Sequence, residues 1–147
     1  MQMELRHSRH PVRIARGRRW TTYGVGAGLW LSGVLWLVYH YFLQTNTMFG
    51  PQANPLEHWW LALHGLFGFA SLWTFGLLWG VHIVGGWKSG RHRISGSLMF
   101  ILLGWLIASG YLLYYLGEDT LLPTIALLHW VVGLALPLPF LIHRFAR

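Results

Sequence analysis

Four long apolar segments constrain the fold of this 147-residue chain more than any other feature. They cover approximately residues 20–43, 57–85, 94–116 and 121–143, and each is long enough to cross a hydrocarbon core about 30 Å thick. Hydrophobic residues make up 54% of the chain and charged residues only 10%, so a water-soluble fold has no interior for that much apolar surface. The sequence therefore predicts an all-α integral membrane protein, an up-down bundle of four helices.

The charged residues are distributed unevenly among the stretches that join these segments. All eleven Lys and Arg residues precede the first segment, lie between the second and third, or follow the fourth. With four crossings these stretches share one side, and the positive-inside rule places that side, with both termini, in the cytoplasm. The sequence thus predicts a basic cytoplasmic arm over residues 1–19 and a transmembrane domain over residues 20–147. We expect contacts with lipid headgroups and no nucleic acid, despite the net charge of +7.

Local signals predict where individual helices begin and end. Asn54-Pro55 is typical of a helix start, with Asn54 as the N-cap and Pro55 in the first helical position. The pair Gly85-Gly86 predicts the end of that same helix, because glycine is common just beyond a helix. Ser95 is a candidate N-cap for the third segment.

Four histidines lie inside the apolar segments, His64 and His82 on the second and His129 and His143 on the fourth. At about 100° per residue, the first two are five full turns apart and share one helix face. The other two are only about 40° apart around their helix. Because imidazole in hydrocarbon is costly and usually functional, and is a common axial ligand of haem iron, the pattern indicates two b-type haems.

The direction of the helices predicts how these histidines pair. The second and fourth segments run the same way, so they are diagonal neighbours across an up-down bundle. His64 and His129 lie at similar depths in the outer half, and His82 and His143 lie near the cytoplasmic end. We therefore expect His64 to pair with His129, and His82 with His143, each pair holding one haem iron.

The two histidine spacings do not match perfectly. At about 1.5 Å per residue they correspond to roughly 27 Å on the second helix and 21 Å on the fourth, a difference of about one turn. Helix tilt, bending at glycines, or a kink at Pro137 and Pro139 would absorb it, since proline interrupts the backbone hydrogen bonds of a helix.

Residues around the histidines supply room and charge for a haem. Glycine beside a ligand leaves space for a flat ring, although membrane helices also use glycine for ordinary packing. The candidates are Gly65, Gly80 and Gly133. Haem propionates favour cationic partners, and the candidates at the cytoplasmic end are Arg91, Arg93 and Arg144. The outer side has no Lys or Arg.

Two further sequence features limit the choice of ligands. The chain has no cysteine, which excludes iron–sulfur clusters, thiolate metal sites and covalent attachment of haem to this chain. His40 and His58 lie at the outer interface, where each is either an interface residue, a replacement for His64 as ligand, or a partner of a propionate or quinone.

The fourth segment resembles a known family. Leu128-His129-Trp130 and Ile142-His143-Arg144, at a 14-residue spacing, resemble the bacterial di-haem membrane cytochrome b superfamily, which includes gamma subunits of membrane formate dehydrogenases and hydrogenases. The resemblance covers about residues 57–147. It implies two non-covalent b haems that carry electrons between the quinone pool and a redox partner such as a periplasmic cytochrome c, in the bacterial inner membrane. The chain departs from the pattern because helix 2 carries two histidines, whereas gamma subunits commonly draw one ligand from helix 1.

The expected function is transmembrane electron transfer as a subunit of a quinone-linked oxidoreductase. The sequence has no nicotinamide or flavin motif, so we do not expect a complete enzyme. One alternative is a haem-free structural or assembly subunit of a larger respiratory or photosynthetic complex. Another is a metal-handling channel, although the near absence of acids inside the apolar segments argues against it.

Overall fold

The chain forms four apolar helical rods. A computed structural model describes residues 15–90, 93–117 and 120–145. Its elements are α1 (Arg16–Phe42), β1 (Thr45–Thr47), β2 (Gly50–Gln52), α2 (Pro55–Leu78), a π-helical turn (Trp79–Ile83), α3 (Val84–Ser89), α4 (Arg93–Tyr115), α5 (Leu122–Ala135) and α6 (Pro137–Phe145). Helix 1 is α1, helix 2 runs from α2 through α3, helix 3 is α4, and helix 4 is α5 with α6. The described residues are mainly helical, which confirms the predicted all-α class, and each of the four helices is long and apolar enough to cross a membrane.

A short antiparallel hairpin joins helices 1 and 2. The register pairs Thr45 with Gln52 and Thr47 with Gly50, which leaves Met48 and Phe49 as a two-residue turn. Sequence reasoning did not predict these strands, because three residues each are too few for a periodic pattern to be visible. We call this end of the bundle the hairpin end, and the opposite end, where the Lys and Arg residues cluster, the basic end.

The start of helix 2 follows its sequence signal. The Asn54 side chain accepts a hydrogen bond from the backbone N–H of Leu56 at 3.0 Å, and Pro55 occupies the first turn. The Asn54 amide also donates to the carbonyl of Leu43 at 3.1 Å, joining the end of helix 1 to the start of helix 2. The predicted N-cap is confirmed.

The end of helix 2 lies later than the sequence predicted. The helix continues through Gly85-Gly86 to Ser89, and Gly90 ends it with a φ of +74°. The backbone N–H of Gly90 bonds to the carbonyl of Trp87 at 3.3 Å. A left-handed residue is what turns the chain out of a helix, and glycine adopts it without strain. The prediction at Gly85-Gly86 was wrong, since both glycines keep helical geometry.

Helix 4 is interrupted where its prolines predicted. Pro137 has no N–H to donate to Gly133, and the N–H of Leu136 bonds to that carbonyl instead, at 3.4 Å. The backbone resumes a helical pattern with the bond from the N–H of Phe140 to the carbonyl of Leu136 at 3.2 Å. The break separates α5 from α6, so the two parts of helix 4 each carry one histidine.

The helices pack in the order of the chain. Helix 1 contacts helix 2 along its length, helix 3 contacts both parts of helix 4, and α3 contacts helix 3. The indole N–H of Trp30 donates to the carbonyl of Leu134 at 3.4 Å and closes the ring between helices 1 and 4. Helices 2 and 4 are thus the diagonal pair.

Small residues occupy the inside of the bundle, and large apolar residues face outward. Among the described residues the buried ones are Ser32, Thr74 and Ser109, exposed by 2%, 5% and 0%. Large apolar side chains on all four helices remain accessible, as expected of surfaces in contact with lipid acyl chains. Gly28 allows helices 1 and 2 to approach each other closely, because a Cβ atom at this position would overlap the ring of Phe67 on helix 2.

Candidate cofactor site of paired histidines

The structure brings the four intramembrane histidines together as two pairs across the bundle. The ring centres of His64 and His129 are 6.3 Å apart, and their planes are inclined by 83°. The ring centres of His82 and His143 are 5.8 Å apart, with planes inclined by 81°. Each pair joins helix 2 to helix 4, one nearer the hairpin end and one nearer the basic end.

The separations suit two imidazoles on one metal ion. A metal–nitrogen bond of about 2.0 Å on each side places two ligating imidazole centres about 6 Å apart. Direct packing of the same aromatic rings covers a similar range, about 4.5–7 Å, so distance alone does not distinguish the two cases. The hydrogen bonds of the His64 and His129 rings are a second observation, because they decide which nitrogen of each ring is left without a proton.

The protonation of His64 follows from its partners on helix 1. Its Nδ1 lies 3.0 Å from the carbonyl oxygen of Leu29 and 3.3 Å from Oγ of Ser32. A carbonyl oxygen only accepts hydrogen bonds, so Nδ1 carries the proton and donates it. The neutral ring then keeps an unprotonated Nε2, which is the form that binds a metal.

His129 is held in the same form by helix 3. Its Nδ1 lies 2.8 Å from Oγ of Ser109. That hydroxyl donates its own proton to the carbonyl of Trp105 at 2.7 Å, a bond within its helix. Oγ of Ser109 is then the acceptor of the proton on Nδ1, and Nε2 of His129 is the nitrogen left for a metal.

A Ser-Gly dipeptide contacts three of the four histidines, and we call each of these dipeptides a Ser-Gly seat. The serine Oγ bonds Nδ1 of the ring, and a Cβ atom on the glycine would lie 2.9–3.7 Å from Cε1 of the same ring. The seats are Ser32-Gly33 under His64, Ser95-Gly96 under His143, and Ser109-Gly110 under His129. Serine supplies a hydrogen-bonding oxygen. Only at Gly33 would a Cβ atom come too close to the ring, because at Gly96 and Gly110 it would make an ordinary van der Waals contact.

Sequence reasoning missed the Ser-Gly seats. Ser95 was predicted to cap helix 3, but that helix begins at Arg93, and Oγ of Ser95 bonds Nδ1 of His143 at 3.0 Å. A signal was present, because Ser95 and Ser109 are 14 residues apart, the same spacing as that of the histidines on helix 4. Helices 3 and 4 are antiparallel neighbours, so equal spacings bring both serines level with both histidines.

Two backbone irregularities reduce the predicted mismatch between helices 2 and 4. His82 lies in the π-helical turn of helix 2, where the N–H of Val84 bonds to the carbonyl of Trp79. A π turn accommodates one extra residue, which removes about 1.5 Å of rise from helix 2. The tighter turn at Leu136 has the opposite effect on helix 4, because 3₁₀ geometry rises about 2.0 Å per residue. Inclination of the helices must supply the remaining difference.

The three glycines predicted to leave room for a haem fall into two groups. A Cβ atom on Gly65 or Gly80 would meet no atom within 4 Å among those the structure describes, so there is open space beside both residues. A Cβ atom on Gly133 would lie 3.8 Å from Leu106, which is ordinary packing against helix 3. Open space beside Gly65 and Gly80 is compatible with a flat cofactor. Gly133 lies where helix 4 packs against helix 3.

The predicted propionate partners lie at the basic end. Nε of Arg144, next to His143 in sequence, donates to the hydroxyl of Tyr23 at 2.9 Å. The guanidinium of Arg93 donates to the carbonyl of Trp87 at 3.1–3.2 Å. Arg91 lies outside the described residues.

Comparison with known proteins adds no independent assignment. No family model, curated protein or solved structure matches this chain. Within residues 15–90, 93–117 and 120–145, no group of three or more His, Cys, Asp or Glu side chains is arranged to hold a metal ion. Two imidazoles per site are too few for a structural zinc site, which takes four ligands, but they complete the coordination of a haem iron.

Proposed function

We propose that this chain transfers electrons across a bacterial inner membrane through two b-type haems, one between His64 and His129 and one between His82 and His143. It links the quinone pool to a periplasmic cytochrome c or another redox subunit, with both termini in the cytoplasm. The observation that carries the proposal is the pair of adjacent histidines at each of two depths, with the Nδ1 protons of His64 and His129 donated to helices 1 and 3.

In this scheme the residues of the chain bind the haems and orient the histidine ligands. A bound haem supplies an iron that accepts and returns one electron. His64 and His129 each present Nε2, and their Nδ1–H bonds increase the basicity of the ligating nitrogen. Two protein ligands per iron leave no coordination position for oxygen chemistry. Arg93 and Arg144, with Arg91 by sequence, provide the positive charge for propionates at the basic end.

The haem content of the purified protein tests the proposal. We expect two b haems per chain from the pyridine haemochrome, and a low-spin spectrum in the dithionite-reduced minus oxidised difference. Protein purified with its membrane lipids and without a Soret band would overturn the proposal in favour of a haem-free structural subunit. Bound transition metal without porphyrin would favour a metal-handling channel instead.

The serine beside His129 provides a more specific test. Ser109→Ala removes the acceptor of the Nδ1 proton at a fully buried position, and loss of such a bond typically costs about 10–100-fold in metal affinity. We expect faster transfer of one of the two haems to apomyoglobin. Ser71→Ala is the matched control, since within the described part of the chain the Ser71 hydroxyl bonds only to the Gly68 carbonyl in its own helix. Equal transfer rates in both variants would show that Ser109 does not hold the ligand.

A further inference from the structure

We propose that a groove at the hairpin end binds a quinol headgroup and that Glu57, paired with His40, accepts its protons. The groove lies between helices 1 and 2, above the pair His64–His129. This inference rests on the proposed function, because the electrons of the quinol need the haems as acceptors.

The acid–base pair comes from two helices. Nδ1 of His40 lies 2.7 Å from Oε1 of Glu57, and Glu57 is the only carboxylate among the described residues. The Glu57 side chain is 15% exposed, and no Lys or Arg occurs between residues 20 and 87. A mostly covered carboxylate whose one basic neighbour is an imidazole is suited to take up a proton and pass it on.

The groove beside this pair has the size and surface for a substituted ring. Its volume is about 380 Å³, and Trp36, Pro55, His58 and Leu61 line it together with Glu57. Trp36 stacks on the ring of His40 with 4.7 Å between centres and 17° between planes, which gives the groove a flat aromatic wall. Ligand sites of about 300–1,000 Å³ with apolar walls and few polar groups are typical for small molecules.

The groove lies close to the His64–His129 pair, on the same face of helix 2 as His64. Glu57 and His64 are seven residues apart on helix 2, which corresponds to about two turns, or 10 Å, along one face. On helix 1, Trp36 lies one turn beyond Ser32, whose hydroxyl contacts His64. A ring in the groove is therefore one to two turns from the ligand His64.

The reaction balances with the groups named. One quinol loses two electrons and two protons and becomes a quinone. The two electrons would go one to each of the haems proposed at the His64–His129 and His82–His143 sites, and both would enter through the site nearer the groove. Glu57 takes each proton from a quinol hydroxyl and transfers it to His40, whose side chain is 41% exposed near the hairpin end of helix 1.

Stopped-flow reduction of the oxidised protein by decylubiquinol under anaerobic conditions tests the inference. Glu57→Gln keeps the shape and the contact with His40 but removes the base, so we expect the limiting rate of haem reduction to fall by about 100-fold or more. Trp36→Leu removes the aromatic wall, and we expect its half-saturating quinol concentration to rise by about 2–10-fold, with a smaller effect on the limiting rate.

Reduction by dithionite distinguishes failure of the proposed quinol groove from failure of the proposed haem sites. Both variants should keep two haems and full reduction by dithionite, which depends on the haems and not on the groove. Glu118→Gln is the matched control, because it neutralises a carboxylate that the sequence places in the other loop on the same side. Wild-type rates in both groove variants, with haems intact, would overturn the groove and leave the cytochrome proposal standing. Absence of haem from the wild-type protein would overturn both.

Discussion

His129→Ala is expected to reduce the haem content from two per chain to one, and His64→Ala is expected to remove the same haem. Both changes take one ligand from the pair whose ring centres lie 6.3 Å apart, so the two variants should have the same difference spectrum. His82→Ala and His143→Ala should share a second spectrum, since those rings form the other pair. Quantitative pyridine haemochrome and reduced minus oxidised spectra measure both expectations.

The grouping of the four variants is the informative result. If the pairs span the bundle, the spectra of the four variants group by depth, and any other grouping would contradict the proposed arrangement. His92→Ala serves as the control, because the sequence places His92 in the basic stretch between helices 2 and 3. That variant should retain two haems with unchanged spectra.

Gly33→Ala is expected to release the haem of the His64–His129 site about 10–100-fold more readily, the range typical for loss of a ligand's supporting contact. A Cβ atom at this position would lie 2.9 Å from Cε1 and 3.1 Å from Nδ1 of His64, which is too close for the ring to stay in place. The ring cannot move away freely, because its Nδ1 is bonded to Leu29 and Ser32. Either that hydrogen bond or the bond to the proposed haem iron would have to lengthen.

Gly110→Ala makes the same chemical change beneath His129 with a different clearance. Its Cβ atom would lie 3.5 Å from Cε1 of His129, an ordinary van der Waals contact. Both substitutions improve helix propensity by about 1 kcal/mol, so any difference between them reports the steric effect on the ring. We expect Gly110→Ala to keep haem transfer to apomyoglobin within about twofold of wild type. Equal haem loss from both variants would contradict the role given to Gly33.

Features encoded by local chemistry could be predicted from the sequence. Apolar length predicts the four spans, because hydrocarbon thickness sets a minimum number of helical residues. Asn54 caps helix 2 through its own side chain, and Pro137 breaks helix 4 because it lacks a backbone donor. The depth of the histidines also predicted which rings the structure brings together, since parallel helices keep equal depths level.

Features that depend on packing between helices could not be predicted in this way. A serine within an apolar helix usually bonds to its own backbone, as Ser71 does, and nothing local distinguishes Ser109, which also accepts from a histidine on the next helix. The π turn that contains His82 is likewise a one-residue adjustment to neighbouring helices. Gly85 and Gly86 continue the helix without a positive φ, and the left-handed residue that ends it is Gly90.

The Ser-Gly seat is also a compact design rule. Neighbouring positions on a helix point about 100° apart, which lets one residue reach Nδ1 of a ring while the next makes room for the adjacent Cε1. A serine that donates its own proton to a backbone carbonyl, as Ser109 does to Trp105, thus sets the tautomer of a histidine on the neighbouring helix. A designer of helical bundles could copy the seat directly, by writing Ser-Gly on one helix at the same interval as histidine on its antiparallel neighbour.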